Sequence, residues 1–149
     1  MNGVEILKKD HRLVEQLFAE FLQAEDSEEE RERIFQQIET ELSAHIEAEE
    51  KVFYPAVQAE IPDQIDEALQ EHMTVSELLA ELLEMEFEDE EFDSKFVAMM
   101  KAVQQHVEEE EREGGIMDVA ERTLSKESLA AMAKDIQAIK LDIEGEMAA

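Results

Sequence analysis

The sequence contains no cysteine, which excludes disulfide staples, thiolate metal sites and a cysteine nucleophile. Prolines number two and glycines four. With so few breakers, and with Glu, Ala, Leu, Met, Gln and Ile dominant, the composition favours helix and argues against sheet. Basic side chains are scarce: 13 Lys and Arg stand against 41 Asp and Glu, for a formal net charge of −28. Such a surface repels nucleic acid and anionic membrane and concentrates cations. It reads as a solubilising shell or an adaptation to salt, with delivery of cations to a site as the sharper alternative. No run approaches the roughly 18–20 apolar residues needed to cross a bilayer. The N-terminal stretch MNGVEILKKDHR carries charges where a signal peptide needs an apolar core. The expectation is a cytoplasmic protein of one domain, 1–149, since 149 residues suffice to bury a core.

Apolar residues recur at helical steps. Val4, Leu7, His11, Val14, Phe18 and Phe21 form one stripe and predict a first helix over about 3–25. Ser27 with Glu30 matches a capping box for a second helix, about 28–59. Its stripe is Ile34, Ile38, Leu42, His45, Glu49, Val52 and Ala56, and Pro55 predicts a bend. Pro62 opens a third helix with the stripe Ile65, Leu69, His72, Ser76, Leu79 and Leu83. A fourth, about 89–113, offers Phe92, Phe96, Met99, Val103, His106 and Glu110 and stops at Gly114-Gly115. A short segment follows at 116–123. Ser125 then caps a last helix striped by Leu129, Met132, Ile136, Ile139 and Ile143. The fold class is all-α: an up-down-up-down four-helix bundle over about 4–113, with an additional C-terminal helix packed across its outside or end. Met99 and Met132 read as core filling, and Tyr54, just off the ligand stripe, as packing at a boundary, with a redox role or a contact to the ligands as the alternative.

The four histidines fall one to each bundle helix. His11 and His45 are 34 residues apart, and so are His72 and His106. Glu49 and Glu110 each follow the second histidine of a pair by four residues, and an acid precedes the first, as Asp10 and Glu71. The chain thus reads as two similar hairpins offset by 61 residues. With 41 acidic positions in 149, the glutamate spacing alone is weak support; their place on a buried stripe says more, because an unpaired buried carboxylate is costly. At about 1.5 Å per residue, His11 lies roughly 21 Å before the first turn and His45 roughly 26 Å after it. The second pair comes level in the same way, so all six side chains can share one layer of the bundle. Four imidazoles and two carboxylates suit two metal ions, each carboxylate able to bridge. Nitrogen and oxygen donors without sulfur suit iron, manganese or zinc, and a two-metal carboxylate centre in a helical bundle favours two iron ions or two manganese ions.

At these residues the sequence resembles the haemerythrin-like family, the histidine–histidine–glutamate cation-binding domain, through KKDHRLVEQL, LSAHIEAEEKVFYP, ALQEHMTV and VQQHVEEEE. The tail LSKESLAAMAKDI resembles the extension of bacterial members. The resemblance implies His11, His45, His72 and His106 as terminal ligands and Glu49 and Glu110 as bridges, with an oxo or hydroxo group between the irons. Oxygen carriers of the family have a fifth histidine one turn beyond the third-helix ligand, where this chain has Ser76. The pattern is therefore similar to non-carrier members associated with iron handling, repair of damaged iron centres, or oxygen and nitric oxide response. Glu15 corresponds to position 76 in the first hairpin and is a candidate for an additional carboxylate ligand; the alternative is a boundary glutamate.

Three functions follow in order. The first is a non-haem di-iron protein that senses or transiently binds a small ligand (oxygen, nitric oxide or peroxide) or handles iron. The second is a di-iron oxidoreductase, which needs an external electron donor because no flavin, haem or iron–sulfur motif is present. The third is a metal-free structural bundle. No nucleic-acid or membrane partner is expected; a protein partner is not indicated, and the state is a monomer or weak homo-oligomer.

Overall fold

In a computed structural model, which describes residues 1–148, the chain is all helical. Helix α1 spans Gly3–Gln23. Asn2 opens it with a reciprocal capping box: its side chain accepts from the Glu5 N–H while the Glu5 carboxylate accepts from the Asn2 N–H. Helix α2 spans Glu28–Ala48, and Ser27 Oγ accepts from the Glu30 N–H at its start. The helix continues through a π-helical turn, Glu49–Phe53, into α3, Tyr54–Val57. Helices α4 (Pro62–Leu83) and α5 (Phe92–Glu111) make the second hairpin. A short α6 (Ile116–Thr123) leads into α7, Lys126–Ala148, where Ser125 Oγ accepts from the Ser128 N–H.

The π-helical turn replaces the bend expected at Pro55. Proline has no N–H to continue the α-ladder. Upstream of it the Tyr54 N–H bonds to the Glu49 carbonyl, five residues back. The widened turn inserts one extra residue and rotates everything after Glu49. Phe53, Tyr54 and Val57 become buried, whereas Val52 is only half-buried and Ala56 is exposed. The stripe expected from a uniform α-period is thus corrected by one position. A similar correction holds on α4, where Val75 and Leu82 are buried while Ser76 and Leu83 are exposed.

The core has two halves. One contains Val14, Phe18, Phe21, Ile38, Phe92 and Phe96, with Phe21 and Phe96 stacked at 4.2 Å between centroids. Arg31 lies over the Phe21 ring and pairs with Asp93 at 2.8 Å. The other half contains Val4, Leu7, Phe53, Val57, Met117 and Ile136. The histidines lie between the halves because each stripe is interrupted at the same level: His11 between Leu7 and Val14, His72 between Ala68 and Val75.

Helix α7 packs on the outside of the first hairpin, against α1, α2 and the π-helical turn. It buries Leu129, Met132, Ala133 and Ile136. After α5 the chain turns at Gly114, whose φ is +80°, a conformation that suits glycine. At Gly115 an added Cβ would sit 2.4 Å from the Glu109 carbonyl oxygen. Gly115→Ala is therefore expected to destabilise the protein by about 2 kcal/mol or more, because backbone rather than a flexible side chain has to move. Thermal unfolding of the purified variant checks this; an unchanged melting temperature would contradict it.

Candidate metal centre

Six side chains named from the sequence converge in the layer between the core halves: His11, His45, Glu49, His72, His106 and Glu110, all buried. They fall into two overlapping groups, His11, His45, Glu49 and Glu110 on one side and Glu49, His72 and His106 on the other. Glu49 belongs to both groups, and Glu110 reaches the second through His106. Glu49 turns Oε2 to His45 Nε2 at 3.2 Å and Oε1 to His72 Nε2 at 2.9 Å. Glu110 turns Oε1 to His11 Nε2 at 3.3 Å and Oε2 to His106 Nε2 at 3.1 Å.

The outward nitrogen of every histidine is held by its own acid. His45 Nδ1 donates to Asp10 at 3.1 Å and His106 Nδ1 to Glu71 at 2.6 Å. His72 Nδ1 donates to Glu50 at 2.8 Å and His11 Nδ1 to Glu111 at 2.5 Å. Ionised carboxylates only accept, so these contacts fix the proton on Nδ1 and turn the Nε2 lone pair inward. The 61-residue repeat extends to this outer layer: Asp10 matches Glu71, and Glu50 matches Glu111. Along the sequence the acids before His11 and His72 stand out, but Glu50 and Glu111 are not singled out. The acid that directly follows both Glu49 and Glu110 is the signal that could have found them.

Tyr54 is the residue that sequence reasoning placed wrongly. It is 2% exposed, and its hydroxyl lies 3.1 Å from Glu49 Oε1, 3.2 Å from His72 Nε2 and 3.3 Å from His106 Nε2, with Glu110 Oε2 also in contact. The extra residue of the π-helical turn carries it onto the face of Glu49. Ser76 is exposed, so the side chain facing the His72–His106 half comes from α3, the continuation of α2, and not from α4. Glu15 is not brought to the site: its carboxylate is 40% exposed and pairs with Arg12 at 3.0 Å.

The layer fits two cations better than it fits itself. Glu49 Oε2 and Glu110 Oε1 are buried without a hydrogen bond. His11 Nε2 and His45 Nε2 face each other at 3.2 Å, and two lone pairs at that distance repel unless a proton or a metal sits between them. Without metal His11, His45 and His106 hold their protons. Burial opposes the charge on His106, but Glu110, Glu49 and Glu71 outweigh it and push its pKa up to about 12. His11 is raised well above its ordinary value against burial by Glu110, Glu111 and Glu49. His45 is raised, again against burial, by Glu49 and Asp10. Burial raises Glu49 in turn, but His45, His106 and His11 hold it well below the usual carboxylate range. Burial and then the two carboxylates raise Tyr54 well above an ordinary phenol, so the metal-free hydroxyl stays a neutral donor. A bound cation reverses that preference.

The sign of the pH dependence follows. A raised His106 stabilises the metal-free fold fully below its unfolded value near 6.5, and that contribution is lost as pH rises through about 12. A depressed Glu49 stabilises above its unfolded value near 4.5, and its contribution is lost as pH falls through the lowered folded value. At neutral pH His11, His45 and His106 are thus protonated in the metal-free protein, and cations must displace those protons. Anaerobic addition of a divalent metal in weak buffer is expected to release protons in step with uptake, with apparent affinity rising from pH 6 to pH 8. Uptake without proton release would contradict the assignment of these protonation states.

Among known proteins, the Hemerythrin HHE cation binding domain family matches residues 2–113. A DNA nickase from Nostoc sp. (strain PCC 7120 / SAG 25.82 / UTEX 2576) is 30% identical over 145 residues, which is 97% of this chain and 40% of that protein. The chain thus spans two-fifths of that curated relative. The crystal structure of a Hemerythrin HHE cation binding domain-containing protein from Mycobacterium kansasii superposes with a TM-score of 0.83 at 23% identity, over 98% of this chain and 89% of that one. Its likeness establishes the fold, and the match over residues 2–113, with the layered histidines and glutamates inside it, establishes that the chain belongs to the haemerythrin HHE cation-binding domain family.

Proposed function

We propose that the chain holds two iron ions in this layer and binds one small ligand beside them, as a sensor or transient binder of oxygen, nitric oxide or peroxide, or in the handling of iron. His11 and His45 would hold one ion and His72 and His106 the other, with Glu49 and Glu110 spanning both. The phenol of Tyr54 would complete the second position, where the chain lacks a fifth histidine. Iron would supply reversible ligand binding and one-electron chemistry, with manganese and zinc as the alternative metals. The chain's own residues do the rest. Asp10, Glu50, Glu71 and Glu111 fix the imidazole tautomers, and the two buried carboxylates offset cationic charge.

One observation favours a small uncharged ligand. A cavity of about 20 Å³, room for about one water-sized molecule, lies against the four histidine rings. The rest of its wall is Val14, Leu42, Ile46, Val75, Val103 and Val107, with the His45-bonded Asp10 the one carboxylate that lines it. Apolar walls suit a diatomic molecule better than a charged substrate. Peroxide turnover or nitric oxide reduction is the second reading, with electrons from a separate donor. The nickase activity named for the Nostoc relative belongs to a protein more than twice as long, and a net charge of −28 repels a phosphate backbone; we carry none of it over. No helix among the described residues is long and apolar enough to cross a membrane.

The test is metal content per chain on protein purified without chelator, with optical spectra before and after exposure to air, nitric oxide and peroxide. Two irons per chain and a reversible spectral change with one ligand are expected. Absence of metal, with no uptake of ferrous iron under anaerobic conditions, would overturn the proposal. Steady consumption of peroxide or nitric oxide with a reductant would favour the enzyme reading.

A further inference from the structure

The two halves of the metal layer are built from matching residues, but the acids that hold their histidines are not in matching surroundings. Asp10 uses Oδ2 for His45 and Oδ1 for the Lys140 ammonium, which reaches in from α7. Lys140 is 20% exposed and Asp10 4%, so this pair is largely shielded from water. Glu111 divides its attention in the same way: Oε2 takes His11 Nδ1 at 2.5 Å and Arg12 at 2.7 Å. Both acids on the His11–His45 side therefore carry a cation. On the other side, Glu50 holds His72 and Glu71 holds His106. Among the described residues neither forms an ion pair with lysine or arginine. The neighbours of Glu71 are themselves acidic, Glu67 and Glu109.

The origin of the difference is visible along the chain. The 61-residue repeat that relates the hairpins sets Arg12 against Met73, which is 61% exposed. Lys140 has no counterpart, because α7 packs on the first hairpin. Glu41 and Glu144 share the groove that Lys140 crosses, and the buried Asp10 is the acid it bonds.

An acid that holds the outer nitrogen of a ligand histidine raises the basicity of the inner one. A cation bonded to the same acid draws charge away and weakens that effect. We propose that Lys140 and Arg12 make the two metal positions unequal, so that the His11–His45 position binds its cation more weakly than the His72–His106 position. Lys140 and Arg12 are positioning residues, acting through Asp10 and Glu111. This rests on the two-metal reading of the layer.

Stepwise zinc titration of the full, metal-free chain against a competing chelator tests it, repeated between pH 7 and pH 8.5 so that proton competition is seen separately. The wild type is expected to fill in two resolved steps. Arg12→Met with Lys140→Met should tighten the weaker step by about tenfold, the lower end of what outer ligand partners contribute, and leave the tighter step unchanged. Lys140→Arg with Arg12→Lys should keep the wild-type separation. Ile136→Ala, which loosens α7 without touching a charge, should keep it as well. Two equal steps in the wild type would overturn this inference alone, and failure to take up two zinc ions would overturn the two-metal reading with it. An unchanged weaker step in the double variant would also overturn it, as would a parallel shift of both steps or the same tightening in Ile136→Ala.

Discussion

His45→Ala combined with Glu49→Ala is expected to abolish stoichiometric metal uptake and the thermal response to metal. His45 is one of the two imidazoles on its side, and Glu49 is in both groups of donors, so the pair of substitutions removes donors from both positions at once. A metal present at about a thousand times its dissociation constant stabilises the folded chain by about 4 kcal/mol. For a chain of this length that is a rise in melting temperature of roughly 10 °C. The wild type should show that rise on loading and the double variant none. The metal-free double variant is expected to melt lower as well, because it loses packing and the Glu49 ion pairs with the histidines that remain, so absolute melting does not isolate the contribution of metal. The difference between loaded and unloaded melting is therefore the deciding quantity. A double variant that still binds two ions, or still gains stability from them, would refute the assignment of this layer as the centre.

Tyr54→Phe is expected to have the second large effect, and it is specific to one position. The substitution keeps the ring, its packing beside Phe53 and its stacking on His72, and deletes only the hydroxyl that reaches Glu49, Glu110 and two histidines. If the phenol completes the His72–His106 half, the ferric wild type should show a visible phenolate-to-iron absorption that the variant lacks. Metal affinity at that position should fall by ten- to a hundredfold, the range seen when a ligand's support is lost. The other position should hold its ion nearly as before. A ferric spectrum identical in both proteins would mean that Tyr54 only donates a hydrogen bond to the glutamates.

Much of the architecture is legible along the chain because helices announce themselves by period and breakers by composition. The α1 stripe from Val4 to Phe21 is buried as read, and Ser125 caps α7 as read. The convergence of His11, His45, His72 and His106 follows from equal 34-residue spacings and a fixed rise per residue. What the period could not show is a change in the period. The π-helical turn at Glu49–Phe53 alters one hydrogen-bond register, from four residues to five, and leaves no trace in composition beyond Pro55 just downstream. That one residue decides whether Tyr54 faces a boundary or the site.

The sequence by itself determined the helices, the two-hairpin repeat and the level at which six donors meet, because these depend on local propensity and counted residues. Only the tertiary structure decided which groups touch across helices. Asp10 meets His45 and Glu71 meets His106 over 35 residues, Glu111 meets His11 over 100, and Lys140 reaches Asp10 over 130. Such contacts depend on how helices rotate and lean against one another, and a single inserted residue rotates everything that follows it. The six side chains that meet were therefore legible in the chain, whereas the contact of Tyr54 with them and the uneven pairing of their outer acids were set by packing.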